Sequence, residues 1–177
     1  RRLRRSNVKV LRTHEPGGTS LGQALRRLLK SGEPMLPISE LMLFEAARAQ
    51  LVDKVIRPFL DDGGVVIADR FTSSTMTYQG YGRGLDQGLI ELLNREATGG
   101  LEPDLTVLLD LPVETALARK NCSADNFDDA PMEFHRKIRQ GYVALAAADP
   151  DGWLVLDGQR APKELSQEIW NKVQTIL

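Results

Sequence analysis

Cysteine is almost missing from this chain: Cys122 stands alone among 177 residues. A lone thiol cannot close an intramolecular disulfide, which excludes a disulfide-stapled scaffold and fits a reducing compartment. No apolar run approaches the roughly 18 residues that a bilayer-spanning helix requires, and no secretory h-region is present. No membrane association is expected, and the reading is a cytoplasmic protein. Excess charge of one sign is lacking too. The 23 Lys and Arg against 24 Asp and Glu leave a net charge of −1, with a pI near 6.2. Such a balance creates no whole-molecule field to gather nucleic acid. The basic opening Arg1-Arg2-Leu3-Arg4-Arg5 suits the exposed end of a helix better than a nucleic-acid arm. The two histidines, His14 and His135, are read as structural, since neither makes a convincing general base.

What is there belongs to an ordinary globular chain, 42% hydrophobic and 27% charged, long enough to bury a sizeable core. Short apolar runs alternate with helical patterns. Strands are expected at Val8–Leu11, Val65–Ala68, Leu105–Leu109 and Trp153–Leu156. Helices are expected at Leu21–Leu29, at Glu40–Phe59 with Ser39 as N-cap, and from about Val113. Two more are expected at Met132–Ala148 and Lys163–Leu177. Continuous β-branched runs between amphipathic helices indicate an α/β fold, a parallel sheet covered on both faces. No linker or repeat divides the chain, so one domain over 1–177 is expected. Chemistry in such sheets gathers at the carboxyl ends of the strands, where His14-Glu15, Asp69-Arg70, Asp110 and Asp157 lie.

Asp69-Arg70 follows a strand directly. Its carboxylate could hold Mg²⁺ or its waters while its guanidinium grips a phosphate, or the two could form a plain strand-end ion pair. The next segment is rich in hydroxyls, and Thr75, Tyr78 and Gln79 share a face if it is helical. That face suits a sugar and base, and the loop Gly80–Gly84 then breaks the helix. Phe44 and Arg48 form an i, i+4 pair on the long helix. The ring could stack on a base and the guanidinium could donate to a base carbonyl; alternatively Phe44 is core and Arg48 surface. An arginine between Ala47 and Ala49 would need an acceptor if buried.

Taken in order, these segments resemble the thymidylate kinase family. Asp69-Arg70-Phe71 through Ser74, then Tyr78-Gln79-Gly80 and Gly82-Arg83-Gly84-Leu85, look like its signature. Thr13-His14-Glu15-Pro16-Gly17-Gly18-Thr19 resembles its Thr-Arg-Glu-Pro-Gly-Gly-Thr motif. Phe44 with Arg48-Ala49-Gln50 is similar to its base-binding helix, and Pro103-Asp104-Leu105-Thr106 to the opening of a later strand. The resemblance implies a three-layer P-loop kinase fold, a homodimer, ATP as donor and Mg²⁺ as cofactor, with dTMP converted to dTDP. It implies that Phe44 stacks on thymine, Arg48 bonds its O4 and Thr75 faces N3. Tyr78 would pack on the deoxyribose, with Gln79 on the same face. Arg70 would bind the acceptor phosphate, with Glu15 near it, and Asp69 would organise Mg²⁺. Arg119 and Lys120 would serve the donor phosphates from a lid at about 119–131. Gln159 and Arg160 would lie where related kinases hold adenine.

Two departures stand out. No G-x-x-x-x-G-K-[ST] occurs, so the family's P-loop and its first, central strand, roughly 30 residues by the size of a βα unit, are expected before Arg1. The opening itself reads as the last turn of a helix stopped at Asn7. The lid stretch is poor in arginine, with Asn126 where the family commonly has one. The competing readings are another P-loop nucleoside or nucleotide kinase and a non-catalytic nucleotide-binding relative.

Overall fold

The computed structural model describes residues 2–119 and 130–177. Its contacts divide the chain into two units, Arg1–Leu101 and Glu102–Leu177.

In the first unit, α1 (Arg2–Arg5) ends at Asn7, whose positive φ of 59° marks the expected stop. β1 (Val10–His14) pairs in parallel with β2 (Val65–Asp69), placing His14 opposite Asp69. The strand begins two residues later than expected and runs to the polar cluster itself. Thr19 caps α2 (Ser20–Leu29) by accepting from the Gly22 amide at 3.0 Å. The loop between them needs glycine at Gly18, where φ is 74° and a Cβ would meet Leu51 Cδ1 at 2.5 Å.

The long helix starts at Pro37, with Leu36 rather than Ser39 in the cap position, because proline at the first turn lacks only an N–H that would be orphaned anyway. It runs as α3 (Pro37–Leu51), widens into a π-helical turn (Val52–Ile56) and closes as α4 (Arg57–Asp61). Leu51, Val52 and Ile56 form the buried centre of this unit, packed by Val55, Leu60, Val66, Phe71 and Leu101. After β2 come α5 (Thr72–Thr75) and a second π-helical segment, Met76–Gly82. Gly80 and Gly82 therefore lie inside a helix, not in the loop expected there. The widened winding, with the Arg83 amide reaching back five residues to the Tyr78 carbonyl at 2.9 Å, absorbs them.

Sequence periodicity did not reveal α6 (Gln87–Thr98). Asp86 caps its start, accepting from Leu89 N at 2.8 Å, and Gly99 ends it in the left-handed region. Arg57 reaches across to its last carbonyls, Thr98 O and Gly99 O, both at 2.7 Å.

The second unit holds β3 (Thr106–Asp110), α7 (Val113–Ala118), α8 (Met132–Ala148), β4 (Trp153–Asp157) and α9 (Pro162–Val173). β3 and β4 pair in parallel with Asp110 opposite Asp157. Val113, Phe134, Ile138, Ala146, Leu156 and Leu165 are its buried apolar residues. The final helix stops four residues short of the expected end. The α/β class is as the sequence implied, with the strands in two parallel pairs. Their faces are less enclosed than continuous apolar runs suggested: Ile67 and Leu109 are about half exposed. No helix among the described residues is long and apolar enough to cross a membrane.

Candidate active site

Arg48 is the largest fully buried side chain among the described residues, 1% exposed. A guanidinium taken out of water must find an acceptor for each of its five N–H groups. Nε and one terminal nitrogen fork onto Glu15, at 2.9 Å and 2.7 Å to Oε2. That terminal nitrogen also donates to Phe71 O at 3.1 Å. The other donates to Glu45 Oε1 at 2.7 Å, Asn94 Oδ1 at 2.6 Å and Thr75 Oγ1 at 3.1 Å. The Thr75 hydroxyl lies 2.9 Å from Asn94 Oδ1 and 2.8 Å from Thr72 O. The end of β1, α3, the Phe71–Thr75 turn and α6 thus converge on one cation. The Phe71 ring lies below it, 5.6 Å from centroid to guanidinium carbon.

The electrostatics are uneven. Burial pushes the Glu15 and Glu45 carboxyls above the ordinary glutamate range, with Arg48 pulling each back without cancelling the effect. Arg48 itself is held above its ordinary value, because the two carboxylates outweigh its own desolvation.

The expected residues are not all at this cluster. Glu15, Arg48 and Thr75 meet in it. Phe44 is half-buried one turn before Arg48 on α3. Asp69 is exposed at the end of β2, and its carbonyl receives the Glu15 amide at 3.1 Å. Arg70 takes the left-handed φ of 71°, unusual for a non-glycine residue, and its guanidinium sits 4.9 Å from the Tyr78 ring centroid. Such strain, of order 1–3 kcal/mol, persists where surrounding structure enforces it and concentrates at functional sites. Gln79 is buried with its amide nitrogen donating to Glu40 Oε1 at 2.7 Å, so the carboxamide serves a protein partner. Arg83 donates to the same buried carboxylate at 3.0 Å, tying the start of α3 to the π-helical segment.

Glu40, Glu45 and Asn94 were not anticipated, and Arg83 only as part of the Gly82-Arg83-Gly84-Leu85 run, without a role. The signal for the first two was present: two glutamates on the same helix as Arg48, Glu45 three residues before it. Asn94 was hidden with α6 itself.

In the second unit, Arg119 donates to Gly158 O at 2.8 Å, and the Gln159 amide to Asp157 Oδ1 at 2.9 Å. Arg160 pairs with Glu168 at 2.7 Å and Glu164 at 3.5 Å. Arg139 forks onto Asp110 at 2.7 Å and 2.8 Å, and that hydrogen-bonded pairing holds the Asp110 carboxyl below its ordinary range. Lys120 and most of the expected lid lie outside the described residues. No cluster of three or more His, Cys, Asp or Glu suited to a metal occurs among the described residues.

Comparison with known proteins places this geometry in context. A family model described as thymidylate kinase matches residues 1–169. A thymidylate kinase of Synechococcus sp. (strain JA-2-3B'a(2-13)) is 50% identical over 173 residues, covering 98% of this chain and 84% of the relative. One of Thermomicrobium roseum is 45% identical over 179 residues, covering 99% of this chain and 85% of the relative. The crystal structure of thymidylate kinase from Ehrlichia chaffeensis superposes with a TM-score of 0.70 at 35% identity, over 84% of this chain and 74% of that one.

Proposed function

Since the chain belongs to the thymidylate kinase family and is a nucleoside monophosphate kinase that phosphorylates dTMP with ATP as donor, we propose that the Arg48 cluster is the floor of its dTMP pocket. The observation that carries this reading is the convergence of Arg48 and Thr75, from separate helices, on one buried polar centre.

Each residue then has a role. Phe44, half-buried beside the cluster, stacks on thymine. Arg48 presents one terminal nitrogen to the base carbonyl O4; that nitrogen has three protein acceptors for two hydrogens, so one can be redirected. Thr75 faces N3. Glu15, with both oxygens on Arg48, fixes the guanidinium from behind. Tyr78 packs on the deoxyribose and steers Arg70 through ring contact toward the acceptor phosphate. Gln79 acts through Glu40, holding two pocket walls together.

Phosphoryl transfer needs the dTMP phosphate oxygen in line with the γ-phosphorus of ATP, water excluded and positive charge on the transferring oxygens. Arg70 supplies that charge on the acceptor side, while Arg119, Lys120, Gln159 and Arg160 serve the donor nucleotide. Mg²⁺ is held in such kinases by one or two carboxylates plus phosphates, and the exposed carboxylate of Asp69 at the end of β2 suits that role. When bound it would neutralise phosphate charge. The proposal also includes a single catalytic domain over 1–177 with a lid at about 119–131. It extends to a cytoplasmic homodimer without nucleic-acid or membrane partners, with Met42, 46% exposed on α3, among the apolar candidates for its interface.

The full-length protein incubated with ATP, Mg²⁺ and each nucleoside monophosphate decides the substrate claim. Preferential turnover of dTMP is expected, and equal rates with all would reject it. Arg70→Ala should weaken dTMP binding far more than ATP binding; equal losses would dismiss the assigned role.

A further inference from the structure

The cluster around Arg48 has a charge surplus. One guanidinium faces two carboxylates, Glu15 and Glu45, each less than a tenth exposed. Glu15 is fully matched, both oxygens accepting from the Arg48 fork. Glu45 is not: Oε1 accepts from Arg48, whereas Oε2 is buried and has no hydrogen-bond partner among the described residues. An ionised carboxylate with one bare oxygen in a dry site is among the costlier arrangements a protein can hold. Among the described residues no second cation is paired with Glu45. α5 and α6 contribute the neutral Thr75 and Asn94, of which Thr75 weakly favours the charged form of Glu45, and the ionic partners acting on Glu45 are Arg48 on its own helix and Glu15 at the end of β1.

We propose that Glu45 carries a proton at neutral pH, residing on Oε2, and that this proton tunes how tightly the pocket binds dTMP. The link runs through Arg48. Its terminal nitrogen is shared among Glu45, Asn94 and Thr75. A neutral carboxyl competes weakly for that nitrogen's hydrogens and leaves one to be lent to a base carbonyl. An ionised Glu45 would hold it in a charge-assisted bond and add a buried negative charge near a phosphorylated ligand. Burial of Glu45, which disfavours its charged form, acts in the same direction. Glu45 is a positioning residue here, acting on the nucleotide through Arg48, and this link rests on the pocket assigned above.

The experiment is a carbon-13 titration of glutamate carboxyls in the full-length, nucleotide-free protein, paired with calorimetric dTMP binding from about pH 6.5 to about pH 9. Wild type should show a glutamate carboxyl titrating well above the ordinary range, absent in Glu45→Gln. Its dTMP affinity should fall about tenfold more across that interval than the affinity of Glu45→Gln. Titrations of the nucleotide itself are common to both proteins and drop out of the comparison. A Glu45 carboxyl ionised throughout neutral pH overturns the proposal. So does a pH slope of affinity unchanged by the substitution; with a raised titration, that result would move the nucleotide away from Arg48 and defeat the pocket assignment as well. Should Glu45→Gln fail to fold, the infrared spectrum of wild type carries the test, since no protonated-carboxyl band at neutral pH would refute the idea.

Discussion

Arg48 illustrates how much one side chain can hold. Truncating it removes the cation that faces two buried carboxylates, and breaking a buried pair costs about 3–5 kcal/mol. Arg48→Ala is expected to lose that much in denaturant unfolding, before any effect on the nucleotide is considered. Arg48→Lys should recover only part of it, because a point-like ammonium cannot reproduce the two-pronged contact with Glu15. Arg70 makes the opposite case. Its left-handed backbone is the conformation glycine adopts freely. Arg70→Gly should therefore retain or raise thermal stability while reducing dTMP phosphorylation by about 10²–10³-fold, the scale for removing one transition-state donor. A Tm loss of several degrees with activity intact would contradict both halves.

At the scale of elements, α6 shows where sequence reading stops. Its buried face is Ile90, Asn94 and Thr98, spaced four apart, and two of the three are polar. A search for apolar periodicity passes over such a face, even though Asp86 and Gly99 cap its two ends. The strands and the helices at Leu21, Met132 and Lys163 announced themselves because their inward residues are apolar. The same contrast governs the site. Asp69-Arg70 and the Phe44/Arg48 pair were singled out by position and spacing, each with a plain structural alternative beside it. Glu45, three residues before Arg48 on the same helix, was within reach of the same spacing argument and was passed over. The partnerships of Glu40 with Gln79 and of Asn94 with Arg48 were not, since they become visible only when distant elements are brought together. Asp86→Ala removes the cap of the helix that supplies Asn94 and should cost about 1 kcal/mol. Hydrogen exchange of the first turn of α6 should speed up selectively. Uniform acceleration across the first unit would mean the cap does more than hold its own helix.

For the whole molecule, pH is the lever. The folded values of Glu15 and Glu45 are raised, so their contribution to stability is complete below the unfolded glutamate value and disappears as pH rises through the folded values. The folded value of Asp110 is lowered, so its contribution is present above the unfolded aspartate value and lost as pH falls through the folded one. Asp110 and Arg139 are partly exposed, which limits their pair to about 1 kcal/mol or less. Thermal stability should accordingly fall on the alkaline side of the glutamate range by more than the exposed pair alters it on the acid side. Substituting Asp110→Asn should change only the acid limb. An alkaline limb that is flat in wild type would show that the buried carboxyls titrate normally.

The wide winding at Met76–Gly82 has a genetic corollary. It stores surplus chain length, so losing a codon there could be healed locally by ordinary α-helical geometry. Beyond that one residue no surplus is left, and everything downstream would swing by about 100° per further residue removed, carrying Arg83 off Glu40 and α6 off Arg48. Laboratory evolution of this enzyme should consequently accept point changes along that stretch far more readily than in-frame deletions.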